Sequence, residues 1–287
     1  MGLFKPNYLK PGKGISPDEP EKRSFFRYWE ILKDKFSKIL GLNIIYVLLS
    51  LPFIAIIFLL IPINYDWLKN LVPQIDEASI SAIYVLFKLF LSLVIFSVFG
   101  SGPVSAVYAY ISRCFTNRVP VWVIADGKDA FKSNFKQSMM LVMLDIVIIF
   151  LALTAITFYT SNYIQTQNTL MGIASVVVMV GFVIYAWMHY YIYQLMVTFQ
   201  LTLRHIFKNA FIFTICSLPK NIIFTLISFV VTYILFMYLD TFVAIVIYIP
   251  LAPIFTRFIA EFSATNRITP FAKKAKEQET KEEVTIQ

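Results

Sequence analysis

Four ionisable residues stand inside otherwise apolar sequence: Lys88, Asp145, Arg257 and Glu261. A charge left in hydrocarbon costs roughly 3 kcal/mol or more, so each must be paired, hydrogen-bonded or used. Asp145 sits in Leu144-Asp145-Ile146, about 10 Å from the nearer membrane surface at ~1.5 Å per residue. Its carboxyl can hold a proton, or it can bind a Tyr, Ser or Lys on a neighbouring helix, and both readings stand. Lys88 is a candidate partner, although it lies nearer the opposite surface and its long stem can snorkel outward. Arg257 and Glu261 are four residues apart, the spacing of a local clasp on one helix. His189, beside Tyr190 and Tyr191, reads first as a hydrogen-bonded link between helices and second as a ligand contact. His205 falls in a basic segment. The chain has no His-x-x-x-His pair, no Cys-x-x-Cys pair and no Gly-rich phosphate loop. It therefore offers no metal site, cofactor site or catalytic residue, and an enzyme is not expected.

The elements that carry these residues follow from hydropathy. Of the 287 residues 58% are hydrophobic and 15% are charged, against about 25% charged in a typical soluble domain. Mean hydropathy is +0.70. A span needs about 20 mostly apolar residues. Six stretches qualify: 38–61, 83–112, 138–160, 171–199, 222–239 and 241–264. Of the 25 Lys and Arg residues, 23 fall in the segments on one side of these spans, leaving Lys69 and Lys88 toward the other. The positive-inside rule then places both termini in the cytoplasm of a multi-pass cell-membrane protein. The net charge of +8 suits loops beside anionic lipid and does not call for nucleic acid. The first twenty-odd residues are polar and rich in Pro and Lys, with no apolar core of a cleavable signal. Cys114 and Cys216 both map to the cytoplasmic side, where reduced thiols are expected.

The expected fold is all-α: six transmembrane helices, three cytoplasmic amphipathic helices and three segments. Residues 1–24, with Pro6, Pro11, Pro17 and Pro20 plus Gly12 and Gly14 among them, read as an extended cytoplasmic arm. Residues 25–264 form the membrane domain, and 265–287 a polar tail that is solvated, partly disordered or marginally helical. Phe25, Phe26, Trp29, Leu32 and Phe36 recur at helical spacing among basic residues. Trp122, Phe131 and Phe135 do the same before the third span, and Ile206, Phe207 and Phe211 before the fifth. Phe25, Trp29, Trp122, Phe131 and Phe135 are the expected membrane-interface anchors. Gly100-Ser101-Gly102-Pro103 breaks the second span. Ser101, Ser105 and Ala109, with Gly102, Pro103 and Ala106, form a small-residue face fit for close helix packing, including packing against a partner subunit.

Several blocks resemble the YesL-like family of bacterial polytopic membrane proteins. Gly102-Pro103-Val104-Ser105-Ala106 followed by Tyr108-Ala109-Tyr110-Ile111-Ser112-Arg113 is similar to that family's central signature. Residues 126–137, Phe25-Phe26-Arg27-Tyr28-Trp29-Glu30, and Tyr190-Tyr191-Ile192-Tyr193 with Met196-Val197-Thr198-Phe199 fit as well. So does the opening Phe4-Lys5-Pro6-Asn7-Tyr8 with Lys10-Pro11-Gly12-Lys13-Gly14. The resemblance implies association with carbohydrate (oligosaccharide) ABC importers of Gram-positive bacteria, and it carries over no catalytic residue. The expected role is an accessory subunit in sugar import, packed against the importer's permease subunits and in contact with membrane lipid. The alternatives are a stand-alone proton-coupled small-solute transporter, which would lean on Asp145, or a membrane sensor.

Overall fold

The computed structural model describes residues 23–63, 65, 69 and 74–286, with side chains as far as Lys273. Of the arm 1–24, all but Arg23 and Ser24 lies outside the described residues. Every regular element among the described residues is helical. In chain order they are α1 (Ser24–Leu60), α2 (Glu77–Phe99), α3 (Pro103–Thr116), α4 (Ala125–Thr166), α5 (Thr169–Thr198), α6 (Leu203–Cys216), α7 (Leu218–Tyr238) and α8 (Thr241–Pro253). A π-helical turn, Ile254–Phe258, joins α8 to α9 (Ile259–Ile286). Six helices are long and apolar enough to cross a membrane: α1, α2, α4, α5, α7 and the composite Thr241–Lys273.

Local chemistry explains the turns opposite the basic end. Asp76 accepts from Ser79 N, Asn168 from Leu170 N and Asp240 from Phe242 N, so three helices start on side-chain caps. The Ser79 hydrogen bonds hold the Asp76 carboxyl below the usual carboxylate range. Gln167 closes α4 in the left-handed conformation, with φ at 54°, leaving a tight turn before α5.

Two helices outrun the bilayer. α1 has 37 residues and α4 has 42, or about 55 and 63 Å at 1.5 Å per residue, against a hydrocarbon core of about 30 Å. The inner segment before span three is therefore not a separate helix. Residues 25–36 form the first stretch of α1, set off from the span by a kink at Lys35, whose φ and ψ of −117° and 16° are not helical. Residues from 125 onward are continuous with α4. Only α6, before span five, stands alone. The interface candidates Phe25, Trp29, Trp122, Phe131 and Phe135 are all exposed.

The basic end is tied together by side chains that reach backbone carbonyls. Arg27 donates to Thr116 O, Gln137 to Leu201 O and Arg267 to Cys216 O. Arg267 belongs to α9, which runs without a break through residues 264 and 265. Thr265 and Ile268 are buried, and Phe271 meets Phe213 edge-on. The packed part of the helical bundle thus extends past Ala264.

The core lies where α1, α2, α3, α5 and the π turn converge. Tyr46 is sandwiched between Phe96, at 5.1 Å, and Tyr108, at 4.5 Å. Ser101, Gly102, Pro103, Ser105, Ala106 and Ala109 are all buried there. Gln194 of α5 reaches between them to donate to Ala109 O at 2.9 Å. This corrects the assignment of that face to a partner subunit. Its small side chains let this chain's own helices approach, and nothing of it is left outside.

Candidate functional site

The break between α2 and α3 is the organising feature of the buried site. Gly100 has φ 77° and ψ −160°, and Gly102 has φ 65° and ψ −120°. These are conformations that only glycine adopts without strain. In an uninterrupted helix Gly102 N would donate to Val98 O. Here both groups find other partners. Gly102 N donates to Tyr193 Oη at 3.0 Å, and Val98 O accepts from Arg257 Nη1 at 2.9 Å. Ser101 N donates to Ser105 Oγ at 2.7 Å, and Ser101 Oγ meets Ser50 Oγ at 2.5 Å. The broken turn is thus restored by side chains from α1, α3, α5 and the π turn.

Arg257 is the centre of that repair. Its Nη2 lies 2.8 Å from Glu261 Oε1, both side chains are almost wholly enclosed, and its guanidinium sits 5.1 Å from the Tyr193 ring centroid. The four-residue spacing expected of a clasp is realised. The guanidinium also faces the C-terminal end of α2, where the helix dipole favours a cation. The π turn that carries Arg257 follows Pro250 and Pro253, which supply no N–H to the ladder. Two carbonyls there accept from α1: Pro250 O from Asn43 Nδ2 and Ile254 O from Tyr28 Oη. Tyr108 Oη donates to Asn43 Oδ1 and so fixes its orientation.

A second buried cluster holds Asp145. Tyr185 Oη donates to Asp145 Oδ1 at 2.6 Å, and His189 Nε2 lies 2.9 Å from the same oxygen. The other ring nitrogen, His189 Nδ1, lies 3.1 Å from Tyr185 O. Both imidazole nitrogens therefore face acceptors, whereas a neutral imidazole has one N–H. Asp145 Oδ2 is buried with no partner among the described residues. Phe99, at the edge of the helix break, packs on the His189 ring at 4.6 Å and joins the two clusters.

Lys88 is not the partner of Asp145. It is buried elsewhere, with Nζ 4.9 Å from the Phe58 ring centroid and 5.5 Å from that of Tyr84. Aromatic faces rather than a carboxylate receive its charge. His189, read from sequence as an interhelical link, is that link. What the sequence reading missed were the neutral partners Asn43, Tyr185, Tyr193 and Gln194. Tyr185, His189 and Tyr193 recur every fourth residue, a signal of one polar face on α5. Among the described residues no group of three or more His, Cys, Asp or Glu side chains gathers to hold a metal. Cys114 and Cys216 are free thiols.

The Asp145 cluster ties α4 to α5 through one carboxylate oxygen. Asp145→Leu strands the Tyr185 hydroxyl and a His189 N–H, and its expected cost is about 1–3 kcal/mol of unfolding free energy. Asp145→Asn keeps in its Oδ1 an acceptor for both Tyr185 and His189, so its expected loss is less than half as large. Unfolding in mixed detergent micelles, followed by far-UV circular dichroism, measures both. Equal losses would show that the site answers to shape and not to hydrogen bonding.

Compared with known proteins, the chain matches no family model, no curated protein and no solved structure.

Proposed function

We propose that this protein is an integral membrane accessory subunit, with both termini cytoplasmic, that associates with a carbohydrate ABC importer and assists its assembly or transport. The resemblance of residues 102–113 and 126–137 to the YesL-like family supports the choice of partner, and the one-sided Lys and Arg residues support the orientation.

The observation that carries the reading is the hairpin made by the distal half of α4 and the first half of α5. From Phe150 to Trp187 only Ser175 is buried. The two arms hold each other through Thr160 Oγ1 and Ser175 Oγ, 2.7 Å apart. The rest of the bundle leaves their flanks bare, with Phe150, Leu151, Ile173, Val177 and Val180 exposed. Helices associate in lipid by close van der Waals fit, and a bare hairpin beside a packed core supplies such a flank to permease helices. Docking thus moves from the small-residue face to this hairpin. Hydrogen bonds from Tyr193, Arg257 and Gln194 to backbone atoms of α2 and α3 tie the core together, which suits a rigid subunit. The reading needs no cofactor, metal or catalytic residue.

A second reading, a proton-coupled solute carrier, is favoured by one feature, the protonatable Asp145–His189 pair at 2.9 Å. Purification from native membranes in mild detergent, with a photo-crosslinking residue at Val177, separates the two. The accessory reading expects two importer permeases in stoichiometric yield and a crosslink from position 177 to one of them. Recovery of this chain alone, with crosslinks only to lipid or itself, would sink it. Sugar- or proton-flux measurements on Asp145→Asn would then decide for the carrier.

A further inference from the structure

A basic cleft and an apolar groove lie in series along one face of α1. The cleft, of about 290 Å³, is walled by Lys35 and Lys38 of α1 and by Arg118, Val119, Pro120 and Trp122 of the loop between α3 and α4. No acidic residue lines it; Glu30, outside the lining, pairs with Arg118 Nη2 at 3.1 Å. The loop is built to hold this wall. Arg118 takes a left-handed conformation with φ at 57°, Val119 N returns to Cys114 O, and Trp122 N donates to Asp126 Oδ2 at 2.7 Å. Trp122 itself is 80% exposed, in the position of a headgroup-level anchor.

The groove, of about 390 Å³, continues the same stripe of α1. Leu42, Ile45 and Leu49 follow Lys38 at spacings of four, three and four, so these four lie on one helical face, and Lys35, at the kink, lines the cleft beside Lys38. Val107, Ile124 and Phe131 form the facing wall. From Lys38 to Leu49 the helix rises about 16 Å at 1.5 Å per residue, close to one leaflet's share of a ~30 Å core.

We propose that this composite surface binds one anionic glycerophospholipid, with its phosphate among Lys35, Lys38 and Arg118 and an acyl chain along Leu42, Ile45 and Leu49. Three cations in one cleft match a phosphodiester, and an apolar groove lined by the following turns of the same helix and by Val123 and Ile124, next in sequence after the cleft's Trp122, matches the chain attached to that phosphodiester. A free phosphate would use the cleft and leave the groove idle. The inference goes beyond the importer reading and does not depend on it.

Native mass spectrometry of the full-length protein in neutral detergent tests it, with phosphatidylglycerol, phosphatidylcholine and inorganic phosphate as probes. One phosphatidylglycerol per chain is expected, in preference to phosphatidylcholine. The double variant Lys35→Gln/Lys38→Gln is expected to lower that occupancy about tenfold. Ile45→Trp, which fills the groove and keeps every charge, is expected to lower it as well. A melting curve for each variant checks that it is folded. Inorganic phosphate binding as tightly as phosphatidylglycerol would overturn the lipid assignment in favour of a free-anion site. Equal binding of the two lipids, or occupancy unchanged in both folded variants, would overturn the site itself.

Discussion

Arg257→Met is expected to lose about 3–5 kcal/mol of stability, the range seen when one partner of a buried ion pair is removed. Methionine keeps most of the stem volume and removes three interactions together. Val98 O loses the donor at 2.9 Å that replaces its helical partner, Glu261 loses the cation at 2.8 Å, and the Tyr193 ring loses the guanidinium above it. The loss should exceed that at Asp145 because a full carboxylate is stranded as well as a backbone carbonyl. Arg257→Lys should fall between, since an ammonium lacks the planar fork that serves Val98 O and Glu261 at once. Arg257→Met/Glu261→Gln should regain more than half of the single-variant loss, because a buried pair removed together is often nearly neutral. Equilibrium unfolding in mixed micelles measures all three. A loss below about 1 kcal/mol for Arg257→Met would show that the clasp does not hold the helix break.

Gly102→Ala is the second large effect. Its φ of 65° already costs an alanine about 1–3 kcal/mol. The new Cβ would also lie 3.0 Å from Ser138 O and 3.0 Å from Val142 Cβ on α4, and overpacking of this kind costs a further 1–3 kcal/mol or so. One contact is backbone on a neighbouring helix, so α3 and α4 must separate to relieve it. Separation would pull Gly102 N from Tyr193 Oη, and the repair of the break fails with it. Gly41→Ala is the control, because nothing lies within 4 Å of a Cβ added there. The same unfolding assay should find Gly102→Ala down by several kcal/mol and Gly41→Ala unchanged or slightly more stable. If the two behave alike, the break is more plastic than its geometry implies.

The spans were legible because they rest on local quantities. Crossing a bilayer requires an apolar run of a certain length, and each of the six runs falls on one of the six long helices, except that the second, 83–112, covers most of α2 and, beyond the break, most of α3. The break was legible for the same reason, since Gly100-Ser101-Gly102-Pro103 cannot continue a helix whatever surrounds it. The Arg257–Glu261 clasp was too, because four residues on one helix fix its geometry. The extents of α1, α4 and α9 were less so. Polar flanks do not halt a helix whose next turn is already formed, so these run on past the apolar limits.

Partner choice was decided by tertiary structure alone. The sequence by itself determined that Asp145 must find a partner in the membrane. It did not determine that the partners are Tyr185 and His189, 40 and 44 residues away, and not Lys88. It determined that Ser101, Ser105 and Ala109 share a face that invites close packing, and the folded chain assigns that face to its own α1 and α5. The physical reason is common to both cases. Helical periodicity says which residues point the same way, because that depends only on the backbone ladder. Which helix they point at depends on how all the spans pack, and in lipid that is settled by the fit of side chains distant in sequence.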